Sequence, residues 1–529
     1  MDFEIEEESL NTPAIVLKMP NIIIHGDNGP LPAQPVDDFK YFQTRGFLRD
    51  VRQLRNWGIV YQHPRYERAY ESFYNAYESY IKKRHFDRFS GPILAPTARR
   101  LYADEIECLL DNAANPNDNN SESANALAAL KKIIHREDEL LVIILPDGMR
   151  GSEMKAKFTK LIQSEQLCNR NILIQCIQNA TCKKLNACLG TFEDIMIKFG
   201  NIPYIIDPVL PHGTQHINPD LCWVWGLDVS HVRDKPSVAC LSISRRPFEG
   251  SLRSMSFFVH LNPARKEIVA FDNMITLAYR GLEECYERTQ AEHTQLPLAI
   301  FVFRDGVADG QIEELFTKEI VGIQRAITMF RNKYKLKKWK PKLEYVLCNK
   351  NTIDRFGLLD QKTGLCRSLN KPCVIYDHVL SDRLWDFIIF PYHYKKNADR
   401  TKGVRYIVLF DDLKLAKKCG AALDLFQFIF SLTYMFAFSV PFPLGGTAQP
   451  APIVYAKHYA ESFSQSILCH DKQLEHLKIN SHLSNRPHIV TQTIYQQYQQ
   501  QQQQQENNNN QANKTNVNNL QNQLNDLNL

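Results

Sequence analysis

Two aspartates stand at the ends of apolar segments that are typical of buried β-strands. Asp228 follows the run 221–227, and Asp305 follows the run 296–303 after one intervening residue. A carboxylate at the tip of a buried strand faces solvent at the sheet edge, where it can hold a hard cation. A single such aspartate is usually a turn or helix cap. Two of them side by side can hold two divalent ions roughly 4 Å apart, which suits in-line phosphoryl chemistry.

The elements that must position these aspartates follow two patterns. Between residues 126 and 210, strand-like apolar segments alternate with helical patterns. This alternation predicts a parallel sheet covered by helices on both faces. From residue 221, three strand-like segments joined by short turns precede a helix and the strand that leads to Asp305. We therefore predict an α/β protein in which a Rossmann-like domain is followed by an RNase H-like domain.

The composition is that of an ordinary soluble globular protein. The chain has 529 residues, of which 44% are hydrophobic and 23% charged, and a net charge of +5. This charge is too small to indicate a nucleic-acid partner by itself. The 13 cysteines include no Cys-x-x-Cys pair, which argues against zinc ribbons and fits a reducing compartment. The most apolar stretch, residues 426–438, is too short to span a bilayer. We expect a cytoplasmic or nuclear protein that does not bind a membrane.

The chain resembles the Argonaute/Piwi family in motifs that follow one another in the family's order. These motifs are Gly226-Leu-Asp-Val-Ser-His231, Phe303-Arg-Asp-Gly-Val-Ala-Asp-Gly-Gln311, Lys371-Pro-Cys-Val-Ile-Tyr-Asp-His378, Tyr406-Ile-Val-Leu-Phe-Asp-Asp412 and Pro450-Ala-Pro-Ile-Val-Tyr-Ala456. Upstream, segments 140–148 and 174–178 resemble the MID domain, which binds the 5′ end of the guide. The resemblance implies a Rossmann-like MID domain and an RNase H-like PIWI domain, without the family's N-terminal and PAZ domains.

This resemblance gives a domain organisation for the whole chain. The expected units are a disordered N-terminus (1–20), a linker-like region before MID (21–125), a MID-like domain (126–215), a PIWI domain (216–495) and a Gln/Asn-rich tail (496–529). The tail cannot bury enough apolar surface to fold alone, so we expect it to be disordered.

The resemblance also implies a catalytic set of four residues that includes Asp228 and Asp305. We assign the third position to Glu267, with Asp272 as the alternative; a glutamate at this place is also commonly a solvated residue near a helix start. The fourth position is His or Asp in the family's cleaving members. We assign it to His458, which would join the two aspartates in binding Mg²⁺ or Mn²⁺.

The fourth position departs from the family pattern. An ungapped alignment puts Lys457, directly after Tyr-Ala, in the position of the metal ligand. An ammonium has no acceptor for a cation, so it would repel Mg²⁺ rather than bind it. Neighbouring residues on a helix point about 100° apart, so bringing His458 into the position requires a local shift. Whether the protein cleaves therefore stays open from the sequence.

Three residues match the family's contacts to the guide's 5′-phosphate. They are Lys155, Gln175 and Lys198, and a phosphate needs several such donors. The chain departs from the family at two other positions of this predicted phosphate site. Gly151 stands where a stacking tyrosine is usual, and Asp194 where a second lysine is usual. A monophosphorylated guide is expected, with an altered 5′ end or a metal-bridged phosphate as alternatives.

A lysine-rich segment at 333–342 could follow a phosphate backbone, and it could equally be a solvated loop. The predicted backbone contacts are Lys333, Lys335, Lys337, Lys338, Lys350 and Arg355.

Three functions remain open at this level. The first is a guide-dependent endoribonuclease that pairs a small guide RNA with a complementary target RNA, a DNA target being an open alternative. The second is a cleavage-inactive scaffold that carries a guide RNA and recruits silencing effector proteins, which Lys457 favours. The third is a guide-free RNase H-fold nuclease, against which the MID-like segment argues.

Overall fold

The computed structural model describes most of the chain between residues 12 and 464. The described ranges are 12–26, 29–30, 34–35, 54–84, 94–106, 133–135, 137–148, 151, 154–155, 173–231, 236–250, 252–263, 265–350, 356–359, 362–363, 366–367, 369, 371–376, 384–391, 403–436 and 447–464. The predicted backbone contact Arg355 and the Gln/Asn-rich tail lie outside these residues. No helix within the described ranges combines the length and the apolarity needed to cross a membrane.

The first part of the chain contains a parallel sheet with helices packed on it. Its elements are β1 (Ile15–Val16), β2 (Asn21–Gly26), β3 (Gly29–Pro30), β4 (Gln34–Pro35), β5 (Trp57–Gln62), α1 (Glu67–Arg84), β6 (Thr97–Leu101), β7 (Leu140–Leu145), β8 (Leu173–Gln178), α2 (Asn179–Cys182), α3 (Leu185–Lys198) and β9 (Tyr204–Asp207). Strands β6-β5-β7-β8 form the parallel sheet, and α1 and α3 share a core with it. The predicted Rossmann-like domain is confirmed.

This parallel sheet crosses the boundary predicted at residue 126. β5 and β6 lie in the region predicted to be linker-like, yet β5 pairs with β7 from the MID-like segment. The apolar run of β5 indicates a strand but carries no information about its partner. The sheet and its helices thus draw on residues from both sides of the boundary.

The second part of the chain forms a nine-stranded mixed sheet, to which β1 adds an edge. Its elements are β10 (Cys222–Ser230), β11 (Ser237–Ser244), β12 (Met255–Asn262), α4 (Phe271–Ala291), β13 (Ala299–Asp305), α5 (Ile312–Leu315), α6 (Val321–Lys333), β14 (Lys342–Asn349), β15 (Leu358–Leu359), β16 (Cys366–Arg367), β17 (Cys373–Ile375), β18 (Trp385–Phe390), β19 (Val404–Asp411), α7 (Ala421–Leu432) and α8 (Ala451–Phe463). The strand order is β1-β17-β18-β19-β14-β13-β10-β11-β12. β13 runs parallel to β10 and β14, whereas β10, β11 and β12 are antiparallel, as an RNase H-like core requires.

Side chains of the central strands alternate between two buried faces, as the pleat of a strand demands. On β10, Trp223, Trp225 and Leu227 pack in the core that contains α4 and α6. Cys222 and Val224 pack in the other core, which contains α7 and the start of α8. Both faces are apolar, so these strands read as continuous hydrophobic runs rather than as alternating ones.

Helix α8 begins directly on the surface of β10 and β11. Gly226 and Ser242 are paired across these strands. The Ser242 hydroxyl donates a 2.6 Å hydrogen bond to the Pro452 carbonyl oxygen. A Cβ atom at Gly226 would lie 2.2–2.4 Å from the backbone of Pro452 and Ile453. The helix can therefore approach the sheet this closely only because residue 226 is glycine.

We predict that Gly226→Ala destabilises the fold by about 1–3 kcal/mol, because the added methyl group overlaps backbone that cannot move aside like a side chain. Urea unfolding measures the change. Gly310→Ala is the matched control, since no atom lies within 4 Å of a Cβ there. An equal and small effect of both substitutions would contradict the close packing of α8.

Candidate active site

The two aspartates predicted to be catalytic lie at the same end of neighbouring strands. Leu227 on β10 is paired with Arg304 on the parallel strand β13, and Asp228 and Asp305 are the next residues on each. By the alternation along the strands, both side chains point to the face that α8 covers. Asp228 is 8% exposed and Asp305 is 3% exposed. We call this pair the acidic edge.

The two carboxylates of the acidic edge influence each other. The pKa of Asp228 is raised to about 6, chiefly by burial; the negative charges of Asp305 and Glu267 add to this rise, and the Arg304 and Lys350 cations oppose it. Glu267 is therefore within electrostatic reach of the acidic edge, as the sequence predicts.

Asp305 is held by two donors on the face that α8 covers. Lys350, just beyond the end of β14, donates to Oδ2 over 2.6 Å, and the Gln449 amide donates to Oδ1 over 2.7 Å. Burial lowers the pKa of Lys350, but the hydrogen bond to Asp305 and the charges of Asp305 and Asp228 outweigh it and raise this pKa overall. Lys350, predicted to contact a nucleic-acid backbone, thus supplies positive charge to the acidic edge.

Arg304 points to the opposite face of the sheet and is fully buried. Its Nε donates to Glu319 Oε2 over 3.2 Å and its Nη1 to Glu267 Oε1 over 3.0 Å. Glu319 is fully buried as well, and it also accepts from the Tyr345 hydroxyl at 2.6 Å and from the Val269 backbone N–H at 2.9 Å. Burial lowers the pKa of Arg304, but the charges of Glu319 and Glu267 outweigh it and keep this pKa above its ordinary value. We call these groups the Arg304 network.

Glu267 is fixed through both its backbone and its side chain. Its carbonyl oxygen accepts from Arg304 Nη2 at 2.7 Å, and its Oε2 lies 2.7 Å from His231 Nε2. The Asn262 amide donates to backbone carbonyls on either side of it. The alternative residue, Asp272, is exposed in the first turn of α4. Of the two candidates, Glu267 is the one joined to the residues around the acidic edge.

The structure separates the two residues that compete for the fourth position. The Lys457 side chain lies near Lys350, which binds Asp305, and it forms an ion pair with Glu461 Oε1 at 3.7 Å. The His458 ring stacks on Phe436, with centroids 5.4 Å apart. Burial lowers the pKa of His458, Glu461 raises it, and Lys457 and Lys155 lower it, so the three carboxylates are not among the groups that shift this pKa. Lys457 therefore lies nearer the acidic edge, while His458 lies within reach of Lys155.

The donor set of the acidic edge fits a hard divalent cation, because carboxylate oxygens are the ligands that Mg²⁺ and Mn²⁺ prefer. Asp228 and Asp305 would hold the ion. The ligand atoms of the two aspartates and Glu267 are not gathered within 4.8 Å of one another among the described residues. Glu267 is instead turned toward Arg304 and His231.

The predicted 5′-phosphate residues lie around β8 and the end of α3. Lys198 Nζ donates to the Gln175 side-chain oxygen. The pKa of the Cys176 thiol is raised to about 11 by burial, against the opposing charges of Lys155 and Lys198, so both ammonium groups are near this strand. A Cβ at Gly151 would lie 2.1 Å from the Pro146 carbonyl oxygen. The backbone therefore leaves no room for the stacking tyrosine usual in the family.

The lysine-rich segment lies at the other end of the sheet. It ends at Lys342, which pairs with Ala299 at the start of β13, whereas Asp305 ends that strand. Six residues of strand correspond to about 20 Å. Lys333 donates to Glu283, and the Trp339 indole donates to a backbone carbonyl while its ring packs against the core. Lys335, Lys337 and Lys338 are exposed. The structure does not bring these lysines to the acidic edge.

Sequence reasoning missed the Arg304 network and the contact from Gln449. An arginine between an apolar run and Asp305 is the signal that could have found the network, because an arginine at the end of a buried strand needs an acidic partner. Nothing in the sequence around Gln449 distinguishes it from a solvated loop residue.

We predict that Glu319→Gln lowers the free energy of unfolding by about 3–5 kcal/mol, because it leaves the fully buried Arg304 with less compensating charge. Glu314→Gln is the control. It removes a partly exposed pair with Lys318 one turn away on the same helical segment, which is worth under about 1 kcal/mol. Urea unfolding of both variants measures the difference, and equal small losses would contradict the role given to the network.

We predict a pH-dependent effect of Asp228→Asn on stability without metal. Because the folded pKa of about 6 lies above the ordinary aspartate pKa of 3.8, ionised Asp228 costs up to about 3 kcal/mol above pH 6. The variant should exceed the wild type by up to that amount near pH 8, and the advantage should vanish as the pH falls through 6 toward 4. Urea unfolding in EDTA measures it; a difference that is constant with pH would contradict the prediction.

Comparison with known proteins agrees with this architecture. Residues 140–468, more than half of the chain, match the Piwi domain family. The Piwi-like protein Ago3 of Bombyx mori is 31% identical over 119 residues, which are 22% of this chain and 12% of the relative. The C-terminal lobe of a budding yeast Argonaute superposes with a TM-score of 0.65 at 16% identity, covering 89% of this chain and 91% of that one.

A longer solved structure is similar in the same way. The Kluyveromyces polysporus Argonaute with a guide RNA has a TM-score of 0.64 at 15% identity, covering 90% of this chain and 54% of that chain. The present chain thus spans about half of that protein and a smaller part of the curated relative. These likenesses show the fold, and with the family match they lead to one conclusion: this chain belongs to the Piwi domain family, whose members include the Argonaute and Piwi proteins.

Proposed function

We propose that the protein binds a small guide RNA and uses it to bind and cleave a complementary target RNA. The observation that supports this most is the acidic edge, where Asp228 and Asp305 lie buried at paired positions beside Glu267. Buried carboxylates in this arrangement cost stability unless a cation binds them. In a Piwi domain their presence favours phosphoryl chemistry over a purely structural role.

Asp228 and Asp305 would hold Mg²⁺ or Mn²⁺. When bound, such an ion lowers the pKa of water and stabilises charge on phosphoryl oxygens. Glu267 contributes a further carboxylate, positioned by Arg304. Lys350 adds positive charge next to Asp305, and Lys457 adds a second cation near Lys350, where this charge can offset the negative charge of the target backbone. Lys457 stands at the position where the family's cleaving members have a metal ligand, so this chain would offer the ion fewer protein ligands.

Lys155, Gln175 and Lys198 support binding of the guide's 5′-phosphate. Two ammonium groups and an amide next to one strand supply the charge-assisted donors that a terminal phosphate requires. His458 is within electrostatic reach of Lys155, so we place it with this group of residues rather than with the catalytic carboxylates. We propose that the domain organisation is a MID-like domain followed by a PIWI domain of residues 216–495.

A second function is favoured by the two lysines at the acidic edge. Lys350 occupies one oxygen of Asp305, and Lys457 lies beside Lys350. If these ammonium groups neutralise the carboxylates in place of a metal, the protein binds guide and target without cleaving. It would then act as a scaffold that recruits silencing effector proteins.

We predict that the wild-type protein binds a 5′-phosphorylated guide RNA more tightly than the same RNA with a 5′-hydroxyl, and that Lys198→Ala removes most of this preference. A hydrogen bond to a charged group contributes about 1.5–3 kcal/mol, so roughly a tenfold to hundredfold loss is expected. Fluorescence anisotropy with both RNAs measures it, with Lys335→Ala as the control. No preference in the wild type would contradict a 5′-phosphate site.

We predict that guide-loaded protein with Mg²⁺ cleaves a labelled complementary RNA at one position set by the guide. Asp305→Ala should lower the rate at least about a hundredfold, since metal binding contributes several kcal/mol. Lys457→His should raise the rate, because it exchanges a cation for a metal ligand. Tight guide-dependent target binding without cleavage in the wild type, restored by Lys457→His, would establish the scaffold instead. No guide-dependent binding would contradict both functions.

A further inference from the structure

Outside the acidic edge, two histidines lie together with a buried aspartate that is distant from them in sequence. His212 and His216 lie between β9 and β10, and Asp424 lies in the first turn of α7. One nitrogen of each imidazole and one carboxylate oxygen all lie within 4.8 Å of one another. Among the described residues this is the one group of three or more His, Cys, Asp or Glu side chains with that geometry. We call it the His-His-Asp cluster.

Within the part of the chain that the structure describes, one carboxylate oxygen of Asp424 has no hydrogen-bond partner. The residue is fully buried. Its Oδ1 accepts from the His212 backbone N–H at 3.0 Å and lies 3.3 Å from His212 Nδ1. Its Oδ2 is buried and has no hydrogen-bond partner among the described residues. A buried oxygen of this kind is costly, so it indicates a ligand at this place.

The local backbone holds both imidazoles next to this carboxylate. The segment folds back on itself through hydrogen bonds from the Gly213 N–H to the Leu210 carbonyl and from the Gln215 N–H to the His212 carbonyl. The two rings consequently lie 5.5 Å apart. Gly420 precedes α7 with a φ of 77°, and a Cβ there would lie 2.3 Å from the His212 ring. The start of α7 therefore packs directly against His212.

An ion pair alone accounts for only part of this arrangement. A protonated His212 would pair with Oδ1 of Asp424, but Oδ2 would still have no partner. Protonating His216 as well would place two like charges 5.5 Å apart. A single divalent cation would give the Asp424 carboxylate a further partner together with both imidazoles, because neutral imidazole nitrogen and carboxylate oxygen are ligands of the same class of metals.

We propose that His212, His216 and Asp424 bind a divalent transition metal of the Zn²⁺ class, with water completing the coordination. The ion joins the segment that leads into β10 to the start of α7, across 212 positions of sequence. Metal bound at such a place stabilises the folded state by mass action, since the unfolded chain does not hold the three ligands together. The site is independent of the proposed RNA-guided function.

Zinc binding by the full chain tests the proposal. The protein is stripped with EDTA, exchanged into buffer with excess Mg²⁺ to saturate the acidic edge, and titrated with Zn²⁺ against a chromophoric chelator, with the melting temperature followed in parallel. The variants are His216→Gln, whose half-buried position tolerates the change, and Asp424→Asn. His293→Asn is the matched control, because His293 is exposed and has a positive φ that asparagine accepts.

We expect the wild type and the control to bind one Zn²⁺ tightly with a rise in melting temperature. His216→Gln should lose at least about tenfold in affinity, the lower end of what loss of even an outer partner costs a metal site, and should lose the thermal rise while keeping the wild-type circular dichroism. Co²⁺ loading should give the visible spectrum of imidazole coordination only when His216 is present. Equal zinc affinity in wild type and His216→Gln, or no zinc binding by the wild type, overturns the proposal.

Discussion

The geometry of the candidate active site depends on a buried arginine whose charge is compensated by glutamates on two different segments. Arg304 lies in the core without solvent contact, between Glu319 on the helical segment before α6 and Glu267 on the loop before α4. Removing an ion from water costs several kcal/mol, so this arrangement persists only if each partner stays in place. The loop with Glu267, the helical segment with Glu319 and strand β13 are therefore fixed relative to one another.

Because successive side chains of β13 point to opposite faces, the direction of Arg304 also determines that of Asp305. Because Arg304 points to one face, Asp305 must point to the other, where α8 covers the sheet. Parallel pairing places Asp228 beside it on β10. Helix α8, which packs directly against Gly226, carries Lys457, whose side chain lies near Lys350. The positions of Asp228 and Asp305 thus follow from strand pairing, while Glu267 lies on a loop that Arg304 holds in place.

The strands that carry the two aspartates could be predicted from the sequence, because a buried parallel strand appears as a long apolar run with a recognisable end. The strands before Asp228 and Asp305 and the fold that joins them are of this kind. What the sequence could not show depends on contacts between distant segments: β5 pairs with β7 across the predicted boundary, and the lysine-rich segment lies at the far end of the sheet. Lys457 and His458 lie in different surroundings, because neighbours on a helix diverge by about 100°: Lys457 lies near Lys350, and the His458 ring stacks on Phe436.

The central claim is that the acidic edge binds a divalent metal despite the lysines beside it. The most direct measurement is Mn²⁺ binding by calorimetry to guide- and target-loaded protein. The two proteins compared both carry His216→Gln, which removes the second proposed site, and one of them also carries Asp305→Asn. We expect saturable Mn²⁺ binding that weakens at least about tenfold in Asp305→Asn. Mn²⁺ affinity that is unchanged by Asp305→Asn would show that the lysines neutralise the carboxylates in place of a metal, and it would contradict the account.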